Sequence, residues 1–154
     1  VTLTESLSPL ARWALACPAL PTCGLALTEA ERVRDPLVAE IEAALERQDL
    51  LDERISLRIT GCPNGCARPY AGDIGLVGRV PGHFAIFVGG DFEGTRLSFK
   101  LHERVPQGEI AARLEPLFAA FAGDRREGEG FGDFCHRLGP DALLALGAAE
   151  SVPA

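Results

Sequence analysis

Cysteine placement constrains this chain more than any other feature of it. Cys17 and Cys23 sit in ACPALPTCG with five residues between them, and Cys62 and Cys66 sit in TGCPNGCARP with three between them. Thiolates are soft ligands, and four of them brought together hold either zinc or an iron–sulfur cluster. Both pairs lie beside Pro and Gly, so short turn-rich loops can aim several sulfurs at one point.

Spacing ranks the alternatives without deciding among them. Structural zinc sites present cysteines two to four residues apart in both halves. The first pair fits that poorly, and the second is permissible but less usual. Structural disulfides are uncommon in reducing compartments. Buried unliganded cysteines behave as small hydrophobes, yet both pairs lie in turn sequence and not on a regular core face. The cluster is favoured, although the spacing does not follow the ferredoxin runs with two-residue gaps.

Composition narrows the class. A chain of 154 residues, 47% of them hydrophobic, supports one domain with its own core. The net charge of −7 argues against nucleic acid, whose binders carry a basic stripe. No apolar run reaches the length of a membrane span, and the N-terminus lacks the pattern of a signal peptide. An odd count of five cysteines does not suit a secreted disulfide scaffold, which points to a reducing, cytoplasmic setting. The sequence contains no methionine, which suggests a segment of a longer polypeptide.

Patterning along the chain predicts an α+β fold, an antiparallel or mixed sheet flanked by helices. Residues 1–16 form a lead-in that suits either helix or extended chain. Thr28 and Glu31 have the form of a capping box, and Asp35-Pro36 of a second cap with proline at the first helical position. Leu37, Val38, Ile41 and Leu45 then recur at helical spacing. Residues 54–60 alternate as a half-buried strand that runs into Gly61-Cys62. Residues 73–80 and 83–90 form a hairpin around Pro81-Gly82, and 97–105 supply a further strand, giving a mainly antiparallel pattern. A helical face recurs over 108–122, and the tail after GEGFGDF holds two short helices.

The words around the cysteines carry a resemblance. Ala19 to Cys23 (ALPTC), Thr28 to Arg32 (TEAER), Thr60 to Tyr70 (TGCPNGCARPY), Ile74 to Gly78 (IGLVG), Gly89 to Asp91 (GGD) and Glu129 to Phe134 (EGFGDF) occur in the order found in sirohaem-dependent assimilatory sulfite reductases. The chain resembles the C-terminal part of that haemoprotein, within the nitrite/sulfite reductase superfamily, over about 17–139. Residues 140–154 are then a C-terminal tail.

The resemblance implies that Cys17, Cys23, Cys62 and Cys66 bind a 4Fe–4S cluster. It implies further that Cys66 shares its thiolate with the sirohaem iron, and that Asn64 and Arg68 lie near the cluster or the haem. The implied reaction is the six-electron reduction of sulfite to sulfide, with electrons from a flavoprotein reductase or a ferredoxin. The anion-binding residues are implied to lie in the N-terminal half of the same enzyme, which this chain lacks, so the segment alone is expected to be inactive. Alternatives are a sirohaem nitrite reductase, a dissimilatory relative, a non-catalytic zinc or structural domain, or a fold with all its thiols free. Cys135 reads as a packing residue, and His83, His102 and His136 as structural or solvent-facing.

Overall fold

The computed structural model describes residues 6–149. Residues 1–5 of the lead-in and 150–154 of the tail lie outside them. Among the described residues, five strands form one sheet in sequential order: β1 (Ala14–Ala16), β2 (Leu57–Thr60), β3 (Ile74–Val80), β4 (His83–Val88) and β5 (Phe99–Pro106). β1 and β2 are parallel, as are β2 and β3, whereas β4 is antiparallel to both its neighbours, β3 and β5.

The sheet is therefore mixed, and the antiparallel pattern holds only for the β3–β5 half. Connection length explains the division. The tight turn at Pro81-Gly82 can join only an antiparallel pair, while parallel neighbours need a crossover of a dozen residues or more. A helical crossover joins β1 to β2. Between β2 and β3 the crossover is the segment 61–73, which contains the second cysteine pair and no helix.

Among the described residues, four α-helices accompany the sheet: α1 (Pro9–Trp13), α2 (Arg34–Glu46), α3 (Ile110–Asp124) and α4 (Phe131–Ala149). The lead-in is both helix and strand, since α1 runs directly into β1. Ser8 caps α1 by accepting the Ala11 N–H at 3.0 Å, with Pro9 at the first helical position. The tail holds two helical pieces, because Gly139 breaks α4 with φ 80° and Pro140 follows it.

The expected caps of α2 are not formed. A 3-10 turn spans Glu31–Val33, and the helix has already begun at Arg34, with no side-chain cap. Thr28 is buried instead, where its hydroxyl accepts the Gly82 N–H at 2.9 Å. The turn of the β3–β4 hairpin has taken the hydroxyl that a capping box would need. Asp35 pairs with its neighbour Arg34. Three strands also start later than their patterns suggested, at Leu57, Ile74 and Phe99.

Period-two alternation decides the two faces of the sheet. Leu57, Ile59, Ile74, Leu76, Phe84 and Ile86 are fully buried and join one core with Leu37, Ile41 and Leu45 of α2 and Leu114, Phe118 and Phe121 of α3. The EGFGDF stretch adds Phe131 and Phe134 to that core. Phe131 packs against Phe118 and Phe121 with ring centroids 5.1 and 5.6 Å apart, and Phe134 lies 5.5 Å from Phe121. Arg58, Gly75 and Phe87 stand at the alternate positions, and the segment 61–73 lies over Gly75 and Phe87.

Asp73 fixes the end of that segment. Its buried carboxylate accepts the Ser56 N–H at 2.8 Å, the Ser56 hydroxyl at 2.7 Å and the Gly132 N–H at 3.0 Å. Burial pushes its pKa up, and these hydrogen bonds pull against that rise.

Candidate metal centre

The two cysteine motifs leave the carboxyl ends of neighbouring parallel strands. Ala16, the last residue of β1, is in register with Ile59 of β2, so Cys17 emerges beside Thr60 and Gly61-Cys62. Parallel pairing is what sends both loops off the same edge of the sheet. An antiparallel pair would have put them at opposite ends.

Gly61 is the junction of the two loops. The Cys17 N–H donates to the Ile59 carbonyl at 3.0 Å, and the Gly61 N–H donates to Cys17 Sγ at 3.3 Å. The Gly61 carbonyl accepts from Leu27 at 2.8 Å and from Thr28 at 3.2 Å. A side chain at position 61 has no room, since its Cβ would lie 2.6 Å from the Ala19 Cβ and 2.7 Å from the Thr28 carbonyl oxygen. Within the first loop the Cys23 N–H closes on the Ala19 carbonyl at 2.7 Å, and the Leu20–Pro21 peptide is cis.

The second loop is a run of turns. Gly65 donates to the Cys62 carbonyl, Arg68 to that of Gly65 at 2.8 Å, and Ala71 to that of Arg68 at 3.3 Å. Gly65 takes φ 72°, where a Cβ would also meet the Tyr70 ring at 2.9 Å. Tyr70 pins the loop from outside. Its hydroxyl donates to the Pro63 carbonyl at 2.8 Å, and its ring stands edge-on to Phe87 at 5.1 Å. Burial raises the Tyr70 pKa, so the hydroxyl remains a donor.

β3 accepts this loop because it carries glycine where the loop touches it. A Cβ at Gly75 would lie 2.0 Å from the Pro69 carbonyl oxygen, and one at Gly78 would lie 2.3 Å from that of Gly61. Glycine inside a strand marks a close backbone approach. Gly75 and Gly78 were not singled out from the sequence, where glycine inside a strand pattern was the available signal; with Gly61 and Tyr70 they belong to the construction of the site beyond the cysteines themselves.

All four thiols are free of disulfides, and their environments differ. Cys62 is buried at the root of its loop, Cys17 and Cys23 are half-buried, and Cys66 is exposed. Among the described residues, no three His, Cys, Asp or Glu side chains converge on a single ion-sized point. The donor set, four thiols on two loops that leave one edge of the sheet, has the chemistry of a soft-metal or iron–sulfur centre.

Asn64 is exposed in the turn between Cys62 and Cys66. Arg68 is exposed too, on a backbone with φ 56°, and its guanidinium turns toward Gly94. The remaining candidates stand apart. Cys135 is fully buried in the helical core, where burial pushes its thiol pKa up and keeps it protonated. His136 is exposed on α4, His83 shares a hydrogen with the Pro81 carbonyl at 2.9 Å, and half-buried His102 on β5 has its pKa lowered by burial and by Arg113.

Known proteins bear on this arrangement. The family described as the nitrite and sulphite reductase 4Fe-4S domain matches residues 10–150. The sulfite reductase (NADPH) hemoprotein beta-component of Myxococcus xanthus is 53% identical over 135 residues, which cover 88% of this chain and 24% of that protein. The sulfite reductase (ferredoxin) of Synechococcus elongatus is 48% identical over 139 residues, which cover 90% of this chain and 22% of that protein. Among solved structures, the NirA protein of Mycobacterium tuberculosis superposes with a TM-score of 0.76 at 30% identity, covering 90% of this chain and 28% of that one. The chain thus spans about a quarter of the length of the relatives it matches. With a family match that runs nearly from end to end and includes both cysteine motifs, the chain belongs to the nitrite and sulphite reductase 4Fe-4S domain family.

Proposed function

We propose that this chain is the cluster- and sirohaem-ligating portion of a longer sulfite reductase, in which sulfite is reduced to sulfide. The single observation that carries this reading is the shared exit of both cysteine motifs from adjacent parallel strands, joined through Gly61. The close relatives named as sulfite reductases favour sulfite over nitrite.

Cys17, Cys23, Cys62 and Cys66 would hold the cluster, and Cys66, the exposed one, would also reach the sirohaem iron. When bound, the cluster and haem supply the electrons and the iron site for oxyanion reduction. The chain itself orients and protects. Gly61 and Gly75 let the two loops lie flat on the sheet, and Tyr70 holds the second loop against Phe87. Because the Cys62–Cys66 loop is anchored along its length, its thiolates are preorganised and need not be collected from mobile chain. Asn64, at the loop tip, would lie close to the bound groups.

The partners follow from the same reading: a flavoprotein reductase or a ferredoxin as donor, sulfite as substrate, and the N-terminal half of the same enzyme as the other wall of the haem site. No helix among the described residues is long and apolar enough to cross a membrane, and we place the enzyme in the cytoplasm. The test is turnover by the intact polypeptide with a reduced viologen, comparing sulfite with nitrite. Sulfite reduction with the higher kcat/KM is expected, and preferential nitrite reduction would overturn the substrate assignment.

A further inference from the structure

Arg58 and Arg68 make an arrangement that the cluster does not explain. Arg58 stands on the loop-covered face of β2, between the inward Leu57 and Ile59. Its stem lies on Gly72, where a Cβ would come within 3.0 Å of Arg58 Cγ. Arg68 reaches back from its left-handed backbone to the 91–95 turn, with Nη2 3.4 Å from where a Gly94 Cβ would be. The two guanidiniums line one small cleft of about 30 Å³ with Ala71, Phe92, Glu93 and Gly94.

No acid of the described residues forms an ion pair with either of them. Neither side chain has an ion pair or a hydrogen bond there, although both belong to a chain of net charge −7. Glu93 is turned to Arg54 at 3.3 Å, and the oxygens of Asp73 are taken by Ser56 and Gly132. Burial and the Arg68 charge lower the Arg58 pKa, and the nearby Asp73 carboxylate only partly offsets them, so the two cations feel each other. Like charges held together in a cleft with no carboxylate in direct contact are a cost that a bound anion relieves. Guanidinium forks match carboxylate geometry, and the cleft admits a carboxylate head but not a whole small molecule.

We infer that Arg58 and Arg68 together clamp one carboxylate brought by a group outside this chain. Its source is either a peripheral carboxylate of the tetrapyrrole or an Asp or Glu of the adjoining polypeptide. The first source rests on the function proposed above, and the second does not.

The experiment uses the intact polypeptide with its cluster loaded, as wild type, Arg58→Gln, Arg68→Gln and the corresponding Lys variants. Haem-free protein is titrated with sirohaem by absorbance, and thermal midpoints are taken with and without haem. For a haem carboxylate, the Gln variants weaken sirohaem binding about tenfold. Lys then recovers part of the affinity, and the haem-free midpoint is unchanged. For a protein carboxylate, haem affinity holds and the haem-free midpoint falls by about 1–2 °C, the small shift a polypeptide of that length gives. Unchanged affinity together with unchanged midpoint in Arg68→Gln overturns the clamp. Arg68 lies on an exposed loop, so its variants decide the matter if half-buried Arg58→Gln fails to fold. A wild type that takes up no haem would refute the haem reading alone, and the midpoints would still test the clamp.

Discussion

Gly75→Ala should separate the cysteine loop from the sheet that positions it. The added methyl carbon would stand 2.0 Å from the Pro69 carbonyl oxygen and 2.8 Å from its carbon. A close C···O contact is roughly 3.3 Å, so the loop or strand must give way by about 1 Å. The obstacle is backbone, three residues beyond Cys66, and it cannot rotate aside as a side chain would. Overpacking of this kind costs about 1–3 kcal/mol, and sometimes more. We expect an unfolding free energy in urea lower by that amount and iron content well below wild type, because the displaced segment carries two proposed ligands. Gly123→Ala is the internal control. It lies in α3 with nothing within 4 Å of the added carbon, and should stabilise by about 0.5–1 kcal/mol with iron unchanged. Wild-type stability and iron content in Gly75→Ala would refute the claim that glycine in β3 seats the loop.

Three further outcomes follow from named contacts. Phe121→Ala removes a ring that touches both Phe131 and Phe134, and should cost about 3–5 kcal/mol in urea unfolding. Glu129 is gripped by Arg137 at 2.7 and 2.9 Å and by the Arg126 N–H, which lowers its pKa from 4.5 to about 2. A depressed carboxylate stabilises above its unfolded pKa, so this contribution should be complete above pH 4.5 and fade as pH falls toward about 2, a slope that Glu129→Gln removes from acid-unfolding curves. Cys135→Ala should lose roughly 1 kcal/mol of stability and no iron, and its thiol in the native protein should resist thiol reagents until the fold opens.

Much of this molecule could be read before its structure, and the exceptions have physical causes. The hairpin was legible because Pro81-Gly82 allows only one pairing for the strands on either side. The core face of α2 was legible from Leu37, Ile41 and Leu45. The capping box at Thr28 was misleading because a cap motif is local, and a distant turn at Gly82 competed for the same hydroxyl. The parallel pairing of β1 with β2 was not legible either. β1 is three residues of ALA, with no alternation to mark it, and its strand character comes entirely from pairing with Leu57–Ile59. The cysteines announced soft-metal chemistry, yet their meeting at one sheet edge depends on that hidden pairing. Arg58 looked like any polar residue of a half-buried strand, and only the fold of 61–73 brings it to Arg68.

The most direct measurement is iron and acid-labile sulfide, taken anaerobically on the intact polypeptide as wild type, as single Cys→Ser variants at 17, 23, 62 and 66, and as Cys135→Ser. The ligand assignment predicts a 4Fe–4S stoichiometry in wild type and Cys135→Ser. Cluster content should fall in each of the other four, and Cys66→Ser should also lose the haem's absorbance. Zinc in place of iron, or a full cluster retained without Cys17, Cys23, Cys62 or Cys66, would contradict it.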